Sequence, residues 1–101
     1  MKGYYIVILG SESEVSNNKM IERMHYLGDA RKLMKNMYLL KLPNDTDDRR
    51  TYVRDQISGK EKLSVYVITL TDKLATAWTM PKENSNYLKE IIREELHGSV
   101  E

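Results

Sequence analysis

The stretch that decides the fold is YYIVIL, residues Tyr4–Leu9, which is closed by Gly10. An unbroken run of aromatic, β-branched and aliphatic residues of this length is typical of a strand that is buried on both faces. The run therefore predicts a strand in the interior of a sheet, with the rest of the chain arranged around it.

A helix is predicted directly after this strand, from about Glu14 to Leu27. Its apolar residues recur at helical spacing: Met20, Ile21, Met24 and Leu27. Ser13 or Ser16 can cap its start, and Gly28 stands where a glycine commonly ends a helix.

The segment Ala30–Leu42, which Pro43 stops, is long for one strand of a small sheet. Lys35-Asn36 near its middle offers a tight turn, because asparagine tolerates a positive φ. We predict two strands, about 30–34 and 37–42, joined as a hairpin. A single long strand is the alternative, and it would exclude the topology given below.

A second helix is predicted to begin near Thr46, whose hydroxyl can cap the first turn, and to end at Gly59. Its predicted buried stripe consists of Tyr52, Val53 and Ile57. The segment Lys62–Thr71 that follows is mostly apolar on both faces, which predicts another inner strand.

The last part of the chain predicts a short extra strand at 74–79 and a C-terminal amphipathic helix at about 85–97. The order β-α-β-β-α-β, followed by this strand and helix, is that of a ferredoxin-like α+β sandwich. We expect one domain over residues 1–101, with its core at about 2–71. The first and fourth strands are expected to be the inner strands of the sheet.

Composition restricts the function. The chain has 101 residues and no cysteine, which excludes a disulfide framework, a thiolate metal site and a cysteine nucleophile. Its 16 basic and 15 acidic residues give a net charge of +1, so binding to nucleic acid would need a local basic patch. No apolar run approaches the ~20 residues of a membrane span. We expect a cytoplasmic protein without a cofactor and without a membrane partner.

The chain resembles the small endonucleases of CRISPR adaptation and the related ribonucleases of the virulence-associated protein D type. The resemblance covers about the first eighty residues and rests on the apolar first strand and four further segments: Leu27-Gly28-Asp29-Ala30, Leu33 with Met37-Tyr38-Leu39-Leu40, the strand from Lys62 to Thr69, and Ala77-Trp78. It implies a ferredoxin-like homodimer in which the strand after the core completes the partner's sheet. By this resemblance, Leu74 and Trp78 are expected at the dimer interface.

Catalytic members of that family carry an aspartate at the end of the first strand, where it is thought to hold a divalent metal. Here the same stretch reads Ile8-Leu9-Gly10-Ser11, and the nearest carboxylate is Glu12. Without that ligand, metal-assisted hydrolysis lacks the anchor for its cation. We therefore expect no metal site and no catalytic residue, with Glu12 as the one weak catalytic candidate.

Two basic clusters are the candidate nucleic-acid contacts. Arg31, Lys32 and Lys35 flank the hairpin, and Arg50 and Arg54 lie one turn apart on the second helix. Such clusters can contact the phosphates of RNA or DNA, with Tyr38 or Tyr52 nearby for stacking. The alternative is a solvated face whose charge is balanced by neighbouring aspartates.

The function expected from the sequence is a non-catalytic, dimeric ferredoxin-like module that binds nucleic acid or a protein partner. One alternative is a metal-dependent ribonuclease that uses Glu12 or another carboxylate such as Asp72. The other is a small-ligand sensor or enzyme subunit. His25 and His97 have no partner at ligand spacing, so we expect neither to be catalytic.

Overall fold

The computed structural model describes residues 3–43, 47–71, 73–74 and 76–96. They form an α+β fold with a four-stranded antiparallel sheet and three helices. The elements are β1 (Tyr4–Leu9), α1 (Glu14–Leu27), β2 (Asp29–Met34), β3 (Met37–Lys41), α2 (Arg50–Ser58), β4 (Val65–Thr69) and α3 (Lys82–Glu90), which continues as a π-helix over Ile91–Leu96. None of the helices in these ranges has the length and apolar character needed to cross a bilayer.

Strand β1 lies in the interior of the sheet, as the sequence predicts. It pairs with β3 on one side and with β4 on the other, in the sheet order β2-β3-β1-β4. Alternate side chains of β1 enter two separate apolar clusters: Tyr5 and Val7 point to one face, and Tyr4 and Ile6 to the other. All four are buried, which explains why the run carries no charged residue.

Helices α1 and α2 cover the face that contains Tyr5 and Val7. Their fully buried contacts are Met20, Met24, Val53 and Ile57. The predicted bounds of α1 are confirmed, and the Ser13 hydroxyl caps it by accepting a hydrogen bond from the Ser16 amide at 3.2 Å. Tyr52, predicted to be buried, is instead 41% exposed, because it lies outside the buried stripe with the Arg49 guanidinium 4.2 Å above its ring.

Arg23 joins the two helices of this layer. Its Nη1 donates to the carbonyl oxygens of Ile57 and Ser58 at 2.9 and 3.2 Å, and its Nη2 donates to the Glu61 carboxylate. These carbonyls belong to the last turn of α2, which has no further intrahelical donors. The guanidinium therefore satisfies the end of α2 from a side chain on α1.

The predicted hairpin is confirmed, and the alternative of one long strand is wrong. The chain turns at Lys35-Asn36, and Asn36 adopts the positive φ of 62° that its side chain tolerates. The Asn36 carbonyl accepts a hydrogen bond from the Leu9 amide at 2.8 Å. The tip of the hairpin is thereby fixed beside the end of β1.

The prediction that the fourth strand is an inner strand is wrong. Within the described ranges β4 pairs with β1 alone, and the two inner strands are β1 and β3. The strand is also shorter than predicted, because Lys62 has a φ of 56° and the Leu63 amide bonds back to Ser58 at the end of α2. Its apolar character reflects packing on both faces of an edge strand, not strands on both sides.

The predicted extra strand is also absent in this single chain: Leu74 and residues 76–80 have no regular secondary structure. This segment lies over the second face of the sheet, where Trp78 and Met80 pack against the cluster that contains Tyr4 and Ile6. An extended segment with alternate side chains pointing inward has the same sequence pattern as a strand, but here no strand of the sheet pairs with it.

The C-terminal helix begins at Lys82, three residues earlier than predicted, and covers this second face with Leu88 and Ile91. The Trp78 indole N–H donates to the Ser85 hydroxyl at 2.9 Å and joins the extended segment to the helix. The predicted start of the second helix at Thr46 lies outside the described residues, as does His97; in the described part α2 begins at Arg50.

Gly28 ends α1 for a reason that the sequence does not show. Its φ of 177° is an extended conformation open to any residue, so the usual left-handed explanation does not apply. A Cβ on Gly28, however, would lie 2.1 Å from the carbonyl oxygen of Lys41. The glycine is needed because the chain between α1 and β2 passes directly against the end of β3.

We expect Gly28→Ala to lower the free energy of unfolding by about 3 kcal/mol or more, because the contacting atom is backbone and cannot move aside. Gly10→Ala is the matched control. Its Cβ would lie 3.1 Å from the Ser64 Cβ, so Ser64 would have to move by only a few tenths of an ångström, and the loss should be smaller, about 1–2 kcal/mol. Urea unfolding measures both; equal losses would contradict the close approach at Gly28.

Candidate nucleic-acid interface

The structure separates the two basic clusters that the sequence singles out. Arg31 and Lys32 lie on β2 and Lys35 lies in the hairpin turn, whereas Arg50 and Arg54 lie on α2 beside β4. Since β2 and β4 are the two outer strands of the sheet, the clusters occupy opposite edges. Arg50 and Arg54 line a cleft of about 260 Å³ together with Tyr66, which is 63% exposed, whereas the β2 side adjoins two larger clefts.

The first of these is the tyrosine cleft, at the end of the sheet where β1 begins and β3 ends. It has a volume of about 470 Å³. Its aromatic and charged lining residues are Tyr4, Tyr26, Tyr87, Asp29, Arg31 and Lys41. The Tyr26 side chain is 94% exposed, so its ring is open to solvent. Tyrosine rings beside cations are the combination that binds unpaired nucleotides, since bases stack on the rings and phosphates bind the cations.

Arg31 has a structural role in this cleft. Its Nε and Nη2 donate to the Asn84 Oδ1 at 3.3 and 3.1 Å, and its guanidinium lies 4.0 Å from the centroid of the Tyr87 ring. Asn84 in turn donates to the carbonyl of Leu33 at 2.9 Å. Arg31 therefore joins α3 to β2, and these contacts hold its positive charge at a fixed position in the wall of the cleft.

The second is the lysine cleft, at the opposite end of β2, with a volume of about 660 Å³. Lys32 and Lys35 line one side of it, and Glu12 and Glu14 line the other. The side chain of neither lysine forms a hydrogen bond or ion pair with any residue in the described ranges. The cleft thus has a basic wall on the hairpin and an acidic wall at the start of α1.

Two neutral polar groups complete the lysine cleft. Burial raises the pKa of the Tyr38 hydroxyl above its ordinary value, so this group stays protonated at neutral pH and can donate a hydrogen bond. Asn17 donates through Nδ2 to the Ser11 carbonyl at 2.8 Å, while its Oδ1 is buried and has no hydrogen-bond partner in the described part of the chain. The Tyr38 hydroxyl can donate to a phosphate or to a base, whereas the Asn17 Oδ1 can only accept a hydrogen bond from a base.

Arg50 and Arg54, in contrast, are paired with carboxylates. Arg50 bonds Asp48, and Arg54 lies 2.8 Å from Asp55. Partial desolvation acts to raise the pKa of Asp48, but hydrogen bonds from Thr69 and Arg50 and the charge of Arg50 outweigh it and hold the pKa below its ordinary value. These ion pairs neutralise charge that a phosphate would otherwise meet.

The weak catalytic candidate Glu12 lies exposed in the acidic wall of the lysine cleft. Across the described ranges, no three histidine, aspartate or glutamate side chains cluster closely enough to hold a metal ion. Asp72 lies outside those ranges, and His25 is exposed on α1. Of the two predicted interface residues, Leu74 is 37% exposed, while Trp78 is half-buried against its own chain.

Among the aromatic and charged residues that line the tyrosine cleft, the sequence predicts only Arg31 as a site residue and misses Tyr4, Tyr26, Asp29, Lys41 and Tyr87. Tyr26 does have a sequence signal: it falls between the buried positions of the α1 stripe, so an aromatic ring there has to face solvent. Lys41 has none, because the end of β3 meets the start of β1 only in the folded sheet.

Comparison with protein-family models, with curated proteins and with solved structures finds no match to this chain. The resemblance described from the sequence therefore stays a prediction.

We expect Arg31→Gln to lower the free energy of unfolding by about 1–2 kcal/mol, because it loses the hydrogen bonds to Asn84 and the stacking on Tyr87. Lys32→Gln, at the next position of the same strand, should change it by less than about 0.5 kcal/mol. Urea unfolding of the two variants checks this. A loss at Lys32 as large as that at Arg31 would contradict the assigned role.

Proposed function

We propose that this chain is a cytoplasmic, non-catalytic module of ferredoxin-like topology, related to the CRISPR-adaptation nucleases, that binds single-stranded nucleic acid along β2. The observation that carries the proposal is that one outer strand connects two clefts. One cleft is lined by three tyrosines and the other by two unpaired lysines. The sheet order β2-β3-β1-β4, with one helix after β1 and one after β3, supports the ferredoxin-like part of the proposal.

The spacing along β2 suits a short piece of single strand. Lys32 lies opposite Tyr38, on the α1 side of the sheet, whereas Arg31 lies opposite Leu39, on the α3 side. Phosphates would therefore lie along Lys32 and Lys35, about 10 Å apart at about 3.3 Å per residue, and a base would stack on Tyr26 at the far end. Tyr26 is 94% exposed, so its ring is accessible to a base.

Lysines on an outer strand also have a simpler use, since their charge prevents the strand from pairing with other chains. That role needs no ligand and predicts no change in nucleic-acid affinity when the lysines are replaced. The two explanations therefore differ in one measurement.

The homodimer that the resemblance implies belongs to the same proposal. The second face of the sheet is already covered by the chain's own residues 76–96. A dimer that uses Trp78 would therefore have to displace this segment. Sedimentation of the purified chain over a range of concentrations tests whether the dimer forms.

The first binding experiment titrates labelled single-stranded RNA and duplex DNA at low and physiological salt, with and without Mg²⁺. We expect salt-sensitive binding of the single strand. The double variant Lys32→Gln/Lys35→Gln should weaken it roughly tenfold and reduce the slope of log affinity against log salt by about 1.4, since each phosphate contact on a single strand contributes about 0.7.

The matched control is Lys60→Gln/Lys89→Gln, which removes the same charge from two exposed lysines that line neither cleft. This control should bind within about twofold of the unmodified chain. Equal weakening by both double variants would show that general charge, and not the β2 side, is responsible. If the chain binds no nucleic acid under any of these conditions, the proposal is wrong.

Glu12→Gln separates the proposed module from a ribonuclease. If the strand follows the basic wall, removing a carboxylate from the opposite wall should tighten binding by about two- to threefold at low salt, because a like charge near the phosphates is lost. RNA should stay uncleaved in both forms. Cleavage that a chelator abolishes and that Glu12→Gln also abolishes would instead establish the metal-dependent ribonuclease.

A further inference from the structure

The second face of the sheet is packed less completely than the first. On the side of α1 and α2, the β1 residues Tyr5 and Val7 are fully buried. On the opposite side, Ile8 remains partly exposed, as do Met37 and Ile68 on the neighbouring strands. Helix α3 contributes Leu88 and Ile91 to the apolar cluster on this face, and the extended segment after β4 contributes Trp78 and Met80.

An apolar chamber of about 420 Å³ lies between this part of the sheet and the extended segment. Its floor and inner wall are Ile6, Ile8, Met34, Met37, Ile68, Leu70 and Leu88. Its roof is formed by Leu74 and residues 76–79, which include Trp78. No side chain with a formal charge is among the described residues that line it.

We propose that this chamber binds one small, uncharged, apolar molecule. The volume falls in the range of about 300–1,000 Å³ of small-molecule sites and is too small for a helix or strand of a partner. An ion would lose its hydration shell without gaining a counter-charge, so a charged ligand is excluded. The hydroxyls of Thr76 and Thr79, at the roof, can orient a ligand that carries one polar group.

The roof provides the route of entry. Residues 76–80 form no strand or helix, and Thr76, Ala77 and Thr79 are exposed. On its far side the segment is held by the Trp78 indole, which bonds Ser85 on α3. At its near end the Leu74 amide donates to the Thr71 carbonyl at 3.3 Å, so both described ends are held and the ligand enters beside the exposed residues between them. On entry the ligand covers apolar side chains of the floor.

Trp78 makes the test direct, because it is the only tryptophan of the chain and lines the chamber. Its fluorescence is measured during titration with N-phenyl-1-naphthylamine, a neutral aromatic probe. We expect saturable quenching with one site per chain. At about ten times the dissociation constant, the probe should raise the melting temperature by roughly 5–10 °C.

Two variants locate the site. Ile68→Phe fills the chamber and should lower the affinity for the probe by about tenfold or more. Val15→Phe adds the same ring to an exposed position of α1 and should leave the affinity for the probe unchanged. Equal affinities for the two variants, or quenching that does not saturate, would overturn the proposal.

Two further measurements keep the proposal testable if Ile68→Phe does not fold. The sulfonated anion 8-anilino-1-naphthalenesulfonate should bind the unmodified chain at least about tenfold more weakly than the neutral probe; equal binding would overturn the proposal. The second measurement is the oligomeric state of the chain, determined by sedimentation without and with the probe. A dimer that the probe dissociates would show that a second copy of the chain occupies the chamber, which also overturns it.

Discussion

The antiparallel pairing of β1 with both β3 and β4 is the constraint on which the other features depend. The backbone of β1 has partners on both edges, and its side chains enter apolar clusters on both faces. Such a strand carries no charged side chain along its length. The two polar clefts therefore lie at its ends: the tyrosine cleft at Tyr4 and the lysine cleft at Leu9 and Gly10.

The position of the segment that covers the second face is set by a group of polar contacts at the β2 edge. A two-layer sandwich leaves one face of its sheet open, but here residues 76–96 pack on it. Their apolar contacts do not define a unique position, since apolar packing has no directional preference. The bonds from Arg31 to Asn84, and from Asn84 to the Leu33 carbonyl, join a specific residue of α3 to β2. This explains why the cation nearest to the tyrosines is also the one with the clearest structural role.

Much of the fold could be predicted from the sequence, because its signals are local. The Ser13 cap, the turn at Asn36 and the apolar run of β1 each depend on residues within a few positions. The order of strands is not local: β3 and β4 both have apolar sequences, and only pairing across the sheet makes β3 the inner one. The need for glycine at position 28 arises from Lys41, thirteen positions away, and leaves no mark beside Gly28.

The candidate site divides in the same way. Lys32 and Lys35 were predicted from their position on the hairpin, and the aspartates that pair with Arg50 and Arg54 stand next to or two residues from them in the sequence. The tyrosine cleft could not be predicted, because Tyr26, Lys41 and Tyr87 come from three elements that only the fold brings together. The chamber could not be predicted either, because it depends on the position of residues 76–79. The predicted strand would lie beside the sheet, whereas in the structure these residues lie over it.

The charges of the lysine cleft bear on which form of nucleic acid fits the proposal. Screening limits the reach of each charge to about 8 Å at physiological ionic strength, so the local arrangement matters and the net charge of +1 does not. A single strand can keep its phosphates along Lys32 and Lys35 while its bases turn toward Tyr38 and Asn17. A duplex presents phosphates on both sides of its grooves, and the second row would approach Glu12 and Glu14. The proposal therefore predicts a preference for a single strand, since only one side of the cleft carries the charge that attracts phosphate.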